Sequence, residues 1–324
     1  MGIDVIGIGN AIVDVLAQTP DSFLEQEKIE KGAMTLIDPA QATSLYAKMA
    51  PGVEVSGGSV ANSCVGITSL GGSAAYIGKV AADQLGEVFA HDIRAAGVAF
   101  DTTPGAASGP ATARCLILVT PDAQRTLNTY LGACVELGPE DIDEAAVLDA
   151  QLTYLEGYLW DPPQAKEAML KAANIAAGGG RKVALSLSDS FCVDRHRAEF
   201  ANLLDHHVDV LFANEAEALS LCEVDDFDAA VKGLRGRAEI AVLTRSEKGS
   251  VVITSDGTVE VPAAPVAQVL DTTGAGDLFA AGFLHGLSRS MPMARCAEIG
   301  AIAAAEVISH FGARPERSLA DLIG

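Results

Sequence analysis

Short apolar runs alternate along this chain with longer alanine-rich stretches in which polar residues recur at helical spacing. The runs at 4–9 (DVIGIG), 74–78, 152–156, 182–188, 208–213, 240–244 and 250–254 are largely apolar at consecutive positions. Strands of that kind are covered on both faces, as in a parallel sheet. Between them the pattern predicts helices over about 59–70, 83–96, 162–177, 194–205, 214–221, 227–235, 276–288 and 293–311. Strand and helix in alternation predict a doubly wound α/β sandwich. GARP at 312–315 closes the last helix with Gly and then Pro.

Two regions break the alternation. Short β-like pieces fall within about 11–38 and again within 97–130. They predict a small extra sheet, inserted into one domain over 1–324 and placed as a lid. No long linker, repeat or low-complexity tract divides the chain.

Composition narrows the function. Of 324 residues, 49% are hydrophobic and 20% charged, enough apolar surface for a large core. The net charge of -21, without a Lys/Arg cluster, argues against nucleic acid, which needs a basic face. An anionic ligand must therefore be held by backbone dipoles or a few placed cations. No apolar run is long enough for a membrane span. The six cysteines form no CxxC pair, so neither a zinc site nor a disulfide framework is indicated. Reduced, buried thiols in a cytoplasmic protein are expected. MGIDVIGIGN has neither a basic n-region nor a cleavage site, and Ile6 stands where a myristoylation signal needs Ser or Thr.

Four stretches could carry chemistry. In LDTTGAGDLFAAGFL (270–284), Gly274-Ala275-Gly276 forms a turn that opens a helix. Its free N–H groups and the helix dipole favour an anion. Asp277 puts a carboxylate beside them. If a phosphoryl group sits on those amides, its acceptor is an alcohol, and the carboxylate is placed to take the alcohol's proton. An acidic residue in a first helical turn is the plainer reading. GGSVANS (57–63) is a second glycine-rich helix entry, with Gly57 and Gly58 allowing close approach and Asn62 able to bind a sugar hydroxyl. Capping by Ser59 is its plainer reading. FANEAEAL (212–219) ends a strand and opens a helix with Asn214, Glu215 and Glu217, where Mg²⁺ could be held through waters or the acids could serve the dipole. GIGN (7–10) fails as a dinucleotide fingerprint because Ile12 replaces the needed Gly. That disfavours an NAD-dependent oxidoreductase. There is no GxxxxGK[ST] loop and no GxSxG elbow.

Taken together, GGSVANS…GGSAAYIGKVAADQLG (57–86) and DTTGAGDLFAAGFL (271–284), with NEAEA (214–218) between them, resemble the two signatures of the ribokinase-like (pfkB-type) carbohydrate and nucleoside kinases. The resemblance spans essentially the whole chain. It implies a three-layer α/β/α sandwich with a mostly parallel central sheet, a small β-sheet lid, and Mg·ATP-dependent phosphorylation of a hydroxymethyl group. By position, Asp277 is then the base and Gly274, Ala275 and Gly276 the anion hole. Asn214 and Glu217 serve ATP and Mg²⁺, the latter through water. TRSEKG (244–249) resembles the nucleotide-binding strand-turn, which implicates Thr244 and Gly249. Asp271 and Thr273 resemble a monovalent-cation site, which implies K⁺.

Within the family, GNAIVD (9–14) and ISHFGARP (308–315) resemble the adenosine kinase branch. Asp14, Gly57, Gly58 and Asn62 then hold the ribose, and Arg125 closes from the lid onto substrate and phosphates. Met34, Leu36, Leu159 and Phe191 are candidates for an apolar base slot, or pack lid and core. Glu156 in LTYLEGYLW resembles a sugar-contacting Glu of the ribokinases, and DTTGAGD also leans that way. The substrate is thus a nucleoside, adenosine foremost, with a sugar of the ribokinase or fructokinase type as the alternative. A non-catalytic nucleoside-binding protein would have no use for Asp277. Monomer and homodimer both remain open.

Overall fold

A computed structural model describes residues 2–106, 108–122 and 124–324; Met1, Ala107 and Ala123 lie outside the described residues, so the expected stretches 97–130 and 123–133 are described only in part. In chain order the first elements are β1 (Val5–Ile8), β2 (Ile12–Gln18), α1 (Asp21–Glu27), β3 (Met34–Leu36), α2 (Pro39–Lys48), β4 (Val53–Gly57), α3 (Ser59–Ser69), β5 (Ala74–Ile77) and α4 (Gln84–Ala95). Next come β6 (Ala113–Val119), β7 (Arg125–Tyr130), α5 (Glu144–Asp149), β8 (Leu152–Glu156), α6 (Pro163–Gly178), β9 (Lys182–Ser186) and α7 (Ser190–His207). The chain closes with β10 (Val210–Asn214), α8 (Glu215–Cys222), α9 (Phe227–Leu234), β11 (Ile240–Thr244), β12 (Ser250–Thr254), β13 (Gly257–Val261), α10 (Ala275–Ser288), α11 (Met293–Val307) and α12 (Ala320–Ile323).

Eight strands form the main sheet in the order β13-β12-β11-β10-β9-β8-β1-β5. β5 through β11 pair in parallel, and β12 and β13 add an antiparallel edge. Successive strand residues enter opposite cores: Val5, Tyr154, Val210 and Val242 pack on one face, and Ile6, Leu155, Leu211 and Leu243 on the other. This is why the strands read as unbroken apolar runs. α3, α4, α10 and α11 cover the first face, and α5 to α9 the second. The sheet is therefore the middle layer of a three-layer α/β/α sandwich.

The second sheet has five strands in the order β3-β7-β6-β2-β4. β4 was not expected, although VEVSG alternates as a half-buried strand should. The described residues of 97–112 add no strand to this sheet. Ala99 and Gly105 instead bridge to Ala75 and Ala81 beside the main sheet. Further differences lie at helix ends. α7 begins four residues before the expected start at 194 because Asp189 caps it, accepting from Cys192 N–H at 2.5 Å. α11 stops at Val307 and not at 311. The Ile308 carbonyl is taken by the Leu270 N–H at 2.9 Å, and the GARP segment runs on past the helix to other partners. α2 carries a signal that was legible, a capping box between Asp38 and Gln41 with Pro39 in the first turn.

The helices that matter for function pack through small residues. A Cβ on Gly66 of α3 would sit 2.6 Å from the Ala281 Cβ of α10. A Cβ on Gly282 of α10 would sit 2.6 Å from Gly300 N of α11. Three helices are thus locked at backbone distance on one face of the sheet. Gly282→Leu is expected to destabilise the protein by about 3 kcal/mol or more, because the clash is with backbone that cannot yield. A fall in the urea midpoint at unchanged m-value would show it.

Candidate active site

The strand order reverses between β1 and β8, since the chain leaves β1 toward β5 on one side and β8 toward β9 on the other. Such a switch point opens a crevice at the carboxyl ends of the strands. Here it lies between the ends of β1 and β8, where Gly9 faces Glu156: a Cβ on Gly9 would stand 2.2 Å from Glu156 Oε2. Two helix N-termini open onto the crevice. α3 starts at Gly58 (φ 101°) and α10 at Gly274 (φ 78°), and neither end has a side-chain cap. Only glycine holds such angles without strain. The two ends therefore offer backbone N–H groups where other helices use Ser or Asp.

A cavity of about 820 Å³ brings together Asp14, Gly58, Asn62, Glu156, Asn214, Glu217 and the 272–277 turn. Asp14 leans on Gly57, whose absent Cβ would lie 2.5 Å from Asp14 Oδ2, so Gly57 shapes the site from behind. Burial raises Asp14 to about 6 against the pull of Arg314 and Arg125. Asn62 donates to Asp277 Oδ2 at 2.9 Å, and its own Oδ1 is buried without a partner among the described residues. Glu156, which burial raises to about 7, accepts from Asn10 Nδ2 at 2.7 Å, Asn10 N–H at 3.3 Å and Val60 N–H at 3.2 Å. Its hydrogen bonds thus tie the β1 exit to the first turn of α3.

Asp277 sits where α3 and α10 meet. Ser59 Oγ donates to its Oδ1 at 2.7 Å, and Ser63 Oγ donates to its backbone carbonyl at 2.8 Å. Burial raises its pKa, while the Asn62 and Ser59 hydrogen bonds and the Arg314 charge hold it down. Of the amides expected to hold an anion, that of Ala275 is already spent on the Thr272 carbonyl at 3.2 Å. Those of Gly274 and Gly276 have no partner among the described residues, and space beside Gly276 is open. The anion hole is narrower than the three-residue motif suggested, because the first helical residue closes a turn.

A second cavity of about 780 Å³ is lined by Thr244, Gly249, Val266, Val269 and Ala304, among others. It shares Thr244, Thr272, Ala275, Gly276 and Phe279 with the first. The two cavities therefore meet across the start of α10. Asn214 and Glu217 cap α8 reciprocally, through Glu217 N–H to Asn214 Oδ1 at 2.9 Å and Asn214 N–H to Glu217 Oε2 at 2.9 Å. Glu217 is 5% exposed and raised to about 7, by burial first, with Asp189 adding repulsion and no cation among its influences. A hydrated divalent ion suits such an acid. Among the described residues no group of three or more His, Cys, Asp or Glu could cage a metal.

Some residues fall elsewhere than expected. Arg125 does not line the cavity; its Nη1 is 2.7 Å from Asp271 Oδ2 and 3.2 Å from Thr273 Oγ1. Leu159 is fully buried in the core, and the 3₁₀ turn at 157–160 turns Tyr158 to the cavity in its place. Met34, Leu36 and Phe191 do line the cavity, exposed by 58%, 61% and 73%. Sequence reasoning missed Arg314, treated only as part of a terminating GARP. Its guanidinium donates to the Ser56 carbonyl at 2.6 Å, to Ser56 Oγ at 2.9 Å and to the Ala61 carbonyl at 3.3 Å. No local pattern signals a contact spanning 258 positions.

A sandwich with a second small sheet and paired cavities across a glycine-capped helix defines a ribokinase-like kinase fold. The model of the pfkB family carbohydrate kinases matches residues 32–318, and the chain belongs to that family. Kinases of this family use ATP, generally with Mg²⁺, and the chain is accordingly an ATP-dependent kinase. It is similar to the adenosine kinase structure of Sinorhizobium meliloti, at 53% identity and TM-score 0.91 over 99% of this chain and 98% of that one. It is similar also to a probable sugar kinase of Rhizobium etli, at 51% identity and TM-score 0.91 over the same shares. The 5-dehydro-2-deoxygluconokinase of Geobacillus kaustophilus is 28% identical over 291 residues, 87% of this chain and 85% of that protein. Among the described residues no helix is long and apolar enough to cross a membrane, and all six cysteines are unpaired.

The raised acids have a consequence for stability. Folded Glu217 keeps its proton to about pH 7, whereas the unfolded chain releases it near 4.5. Folding then takes up a proton between those values, so this contribution is present below 4.5 and lost as pH rises toward 7. His285, lowered to about 4 by burial, acts in the opposite sense over part of that range, so the measurement is a difference. Between pH 4.5 and 7 the ligand-free wild type should lose on the order of 3 kcal/mol more than Glu217→Gln. Parallel urea titrations of the two proteins at both pH values read it directly.

Proposed function

We propose that the protein transfers the γ-phosphoryl group of ATP to the 5′-hydroxyl of a nucleoside, adenosine foremost, with Asp277 as general base. The observation that carries this reading is one cavity containing Asp277 on two donors, the open Gly276 amide and the apolar side chains of Met34, Leu36 and Phe191. A bare sugar would leave those apolar groups without a partner, whereas a flat base fills the gap between them.

In this reading Asp14 accepts hydrogen bonds from the ribose hydroxyls, and the unpartnered Asn62 Oδ1 accepts another. Ser59 and Asn62 fix the Asp277 carboxylate in one orientation, so it meets the alcohol without reorganising. Its raised pKa makes it a better proton acceptor than a free carboxylate, while the Asn62 and Ser59 hydrogen bonds and the Arg314 charge limit the rise. The hydroxyl proton passes to Asp277 as its oxygen forms the new bond to phosphorus and the bond to the leaving ADP oxygen breaks. When bound, Mg·ATP supplies the phosphoryl group and the metal charge that offsets its oxygens. The Gly274 and Gly276 amides face the transferred group, and Thr244 and Gly249 line the side where the nucleotide would sit. In this reading Arg125 lies outside the cavity, paired to Asp271, and takes no direct part in phosphate contact. The five-stranded sheet acts as the lid that excludes water. The unpaired thiols suit a cytoplasmic enzyme.

A sugar or sugar-acid kinase is the second reading, favoured by Glu156 on the cavity wall and by the names of two relatives. ADP release measured with adenosine, inosine, guanosine, cytidine, ribose and fructose separates the two. Adenosine should be the best acceptor, and Asp277→Asn should lower kcat by about 10² to 10⁴. Turnover confined to a sugar would sink the nucleoside assignment and leave the role of Asp277 standing. Phe191→Ala should raise KM for adenosine about tenfold with little change in kcat, as expected for loss of uniform binding. An unchanged KM would remove Phe191 from the base slot.

A further inference from the structure

Asp271 opens the loop that leads into α10, and both of its carboxylate oxygens are already engaged. Oδ1 accepts from the Thr273 N–H at 3.1 Å and from the Thr273 hydroxyl at 2.7 Å. Oδ2 accepts from the Gly312 N–H at 2.8 Å and lies 2.7 Å from Arg125 Nη1. Of the about four lone-pair sites a carboxylate offers, three are taken by these hydrogen bonds, and the guanidinium stands against the same Oδ2 as an ion pair. Both side chains are sequestered, Arg125 at 10% exposure and Asp271 at 6%. The Phe311 ring lies 5.6 Å from the guanidinium carbon, closing the site on another side. The residues whose pattern implied a K⁺ site therefore do not fit one. An ion seated on Asp271 would have to expel a guanidinium that cannot lose its charge and would be left buried and unpaired.

We propose that Arg125 is the built-in cation of the Asp271–Gly276 loop, so that this chain binds and uses no monovalent ion there. The charge comes from β7 of the small sheet and is delivered to the loop that carries Gly274 and Gly276. Placing the small sheet and ordering the turn are then one event, made by one ion pair, and Arg125 is a positioning residue for the turn. Gly312 and Phe311 hold the same pair from the C-terminal segment, which is why the contact is closed to solvent. The proposal does not depend on whether the acceptor is a nucleoside or a sugar, and it rests on the kinase reading only where nucleotide affinity is the readout.

The test compares K⁺, Na⁺ and tetramethylammonium chlorides at matched ionic strength. Two quantities are followed: the thermal midpoint of the ligand-free protein, and the Kd of a non-hydrolysable ATP analogue with Mg²⁺. For the wild type neither should differ among the salts. Arg125→Gln should bind the analogue about tenfold or more weakly in tetramethylammonium, as expected for removing one partner of a buried charge pair, and K⁺ should restore most of that loss. Arg125→Lys, which keeps the charge, should remain indifferent to the salt. A wild type that gains stability or affinity in K⁺ over tetramethylammonium overturns the proposal. So does an Arg125→Gln protein that is equally weak in all three salts, since Arg125 would then act only through its own contacts. If Arg125→Gln does not fold, the wild-type salt comparison decides alone. Failure of the analogue to bind the wild type in any salt would count against the kinase reading, while the ligand-free midpoints would still decide the cation question.

Discussion

The site depends on how closely α3 and α10 approach. Gly66 and Ala281 leave no side-chain bulk between them, so the first turns of two helices lie side by side at the crevice where the strand order reverses. Side chains projecting from those turns then meet: Ser59 and Asn62 from α3 hold Asp277 from α10. The glycine caps at 58 and 274 serve the same arrangement, because a side-chain cap would satisfy the amides that a ligand must use. Backbone packing, helix dipoles and the orientation of the Asp277 carboxylate are therefore one construction.

That construction concentrates acids in a chain that is already acidic. Asp14, Glu156 and Glu217 are all raised by burial, and Asp14 and Asp277 repel one another. Two cations offset this. Arg314 influences both Asp14 and Asp277 without touching either, its guanidinium being held by the Ser56 and Ala61 carbonyls. Arg125 is paired to Asp271. Both depend on the segment after α11, where Phe311 and Gly312 close on the first pair and Arg314 supplies the second cation. A cation held by carbonyls acts as a fixed field, whereas one paired to a carboxylate acts as a tether. The molecule uses one of each.

The two cavities give this arrangement a direction. They share the first residues of α10, with the residues matched to the nucleotide on one side and the apolar walls of Met34, Leu36 and Phe191 on the other. In the proposed reading, a group passing between ligands crosses the Gly276 amide, beside Asp277.

Much of this was written locally. Consecutive apolar residues marked the parallel strands because both faces of the sheet are covered, and DTTGAGD marked the turn because only glycine takes its backbone angle. Asp14, Asn62 and Asp277 could be singled out because their motifs are contiguous. Contacts between distant segments decided the rest. Arg125 was legible as a cation of the small sheet, but only the fold set it on Asp271. Arg314 looked like punctuation until the chain returned it to Ser56. Leu159, a candidate for the base slot, went into the core, and Tyr158 took the cavity side through one 3₁₀ turn, since adjacent side chains there point to different sides of the backbone. Sequence determined the elements, the glycine turns and the reactive residue types, each governed by neighbours within a few positions. Tertiary structure decided which charges pair and which are left open, because Coulomb and desolvation terms follow distance in space and not position along the chain.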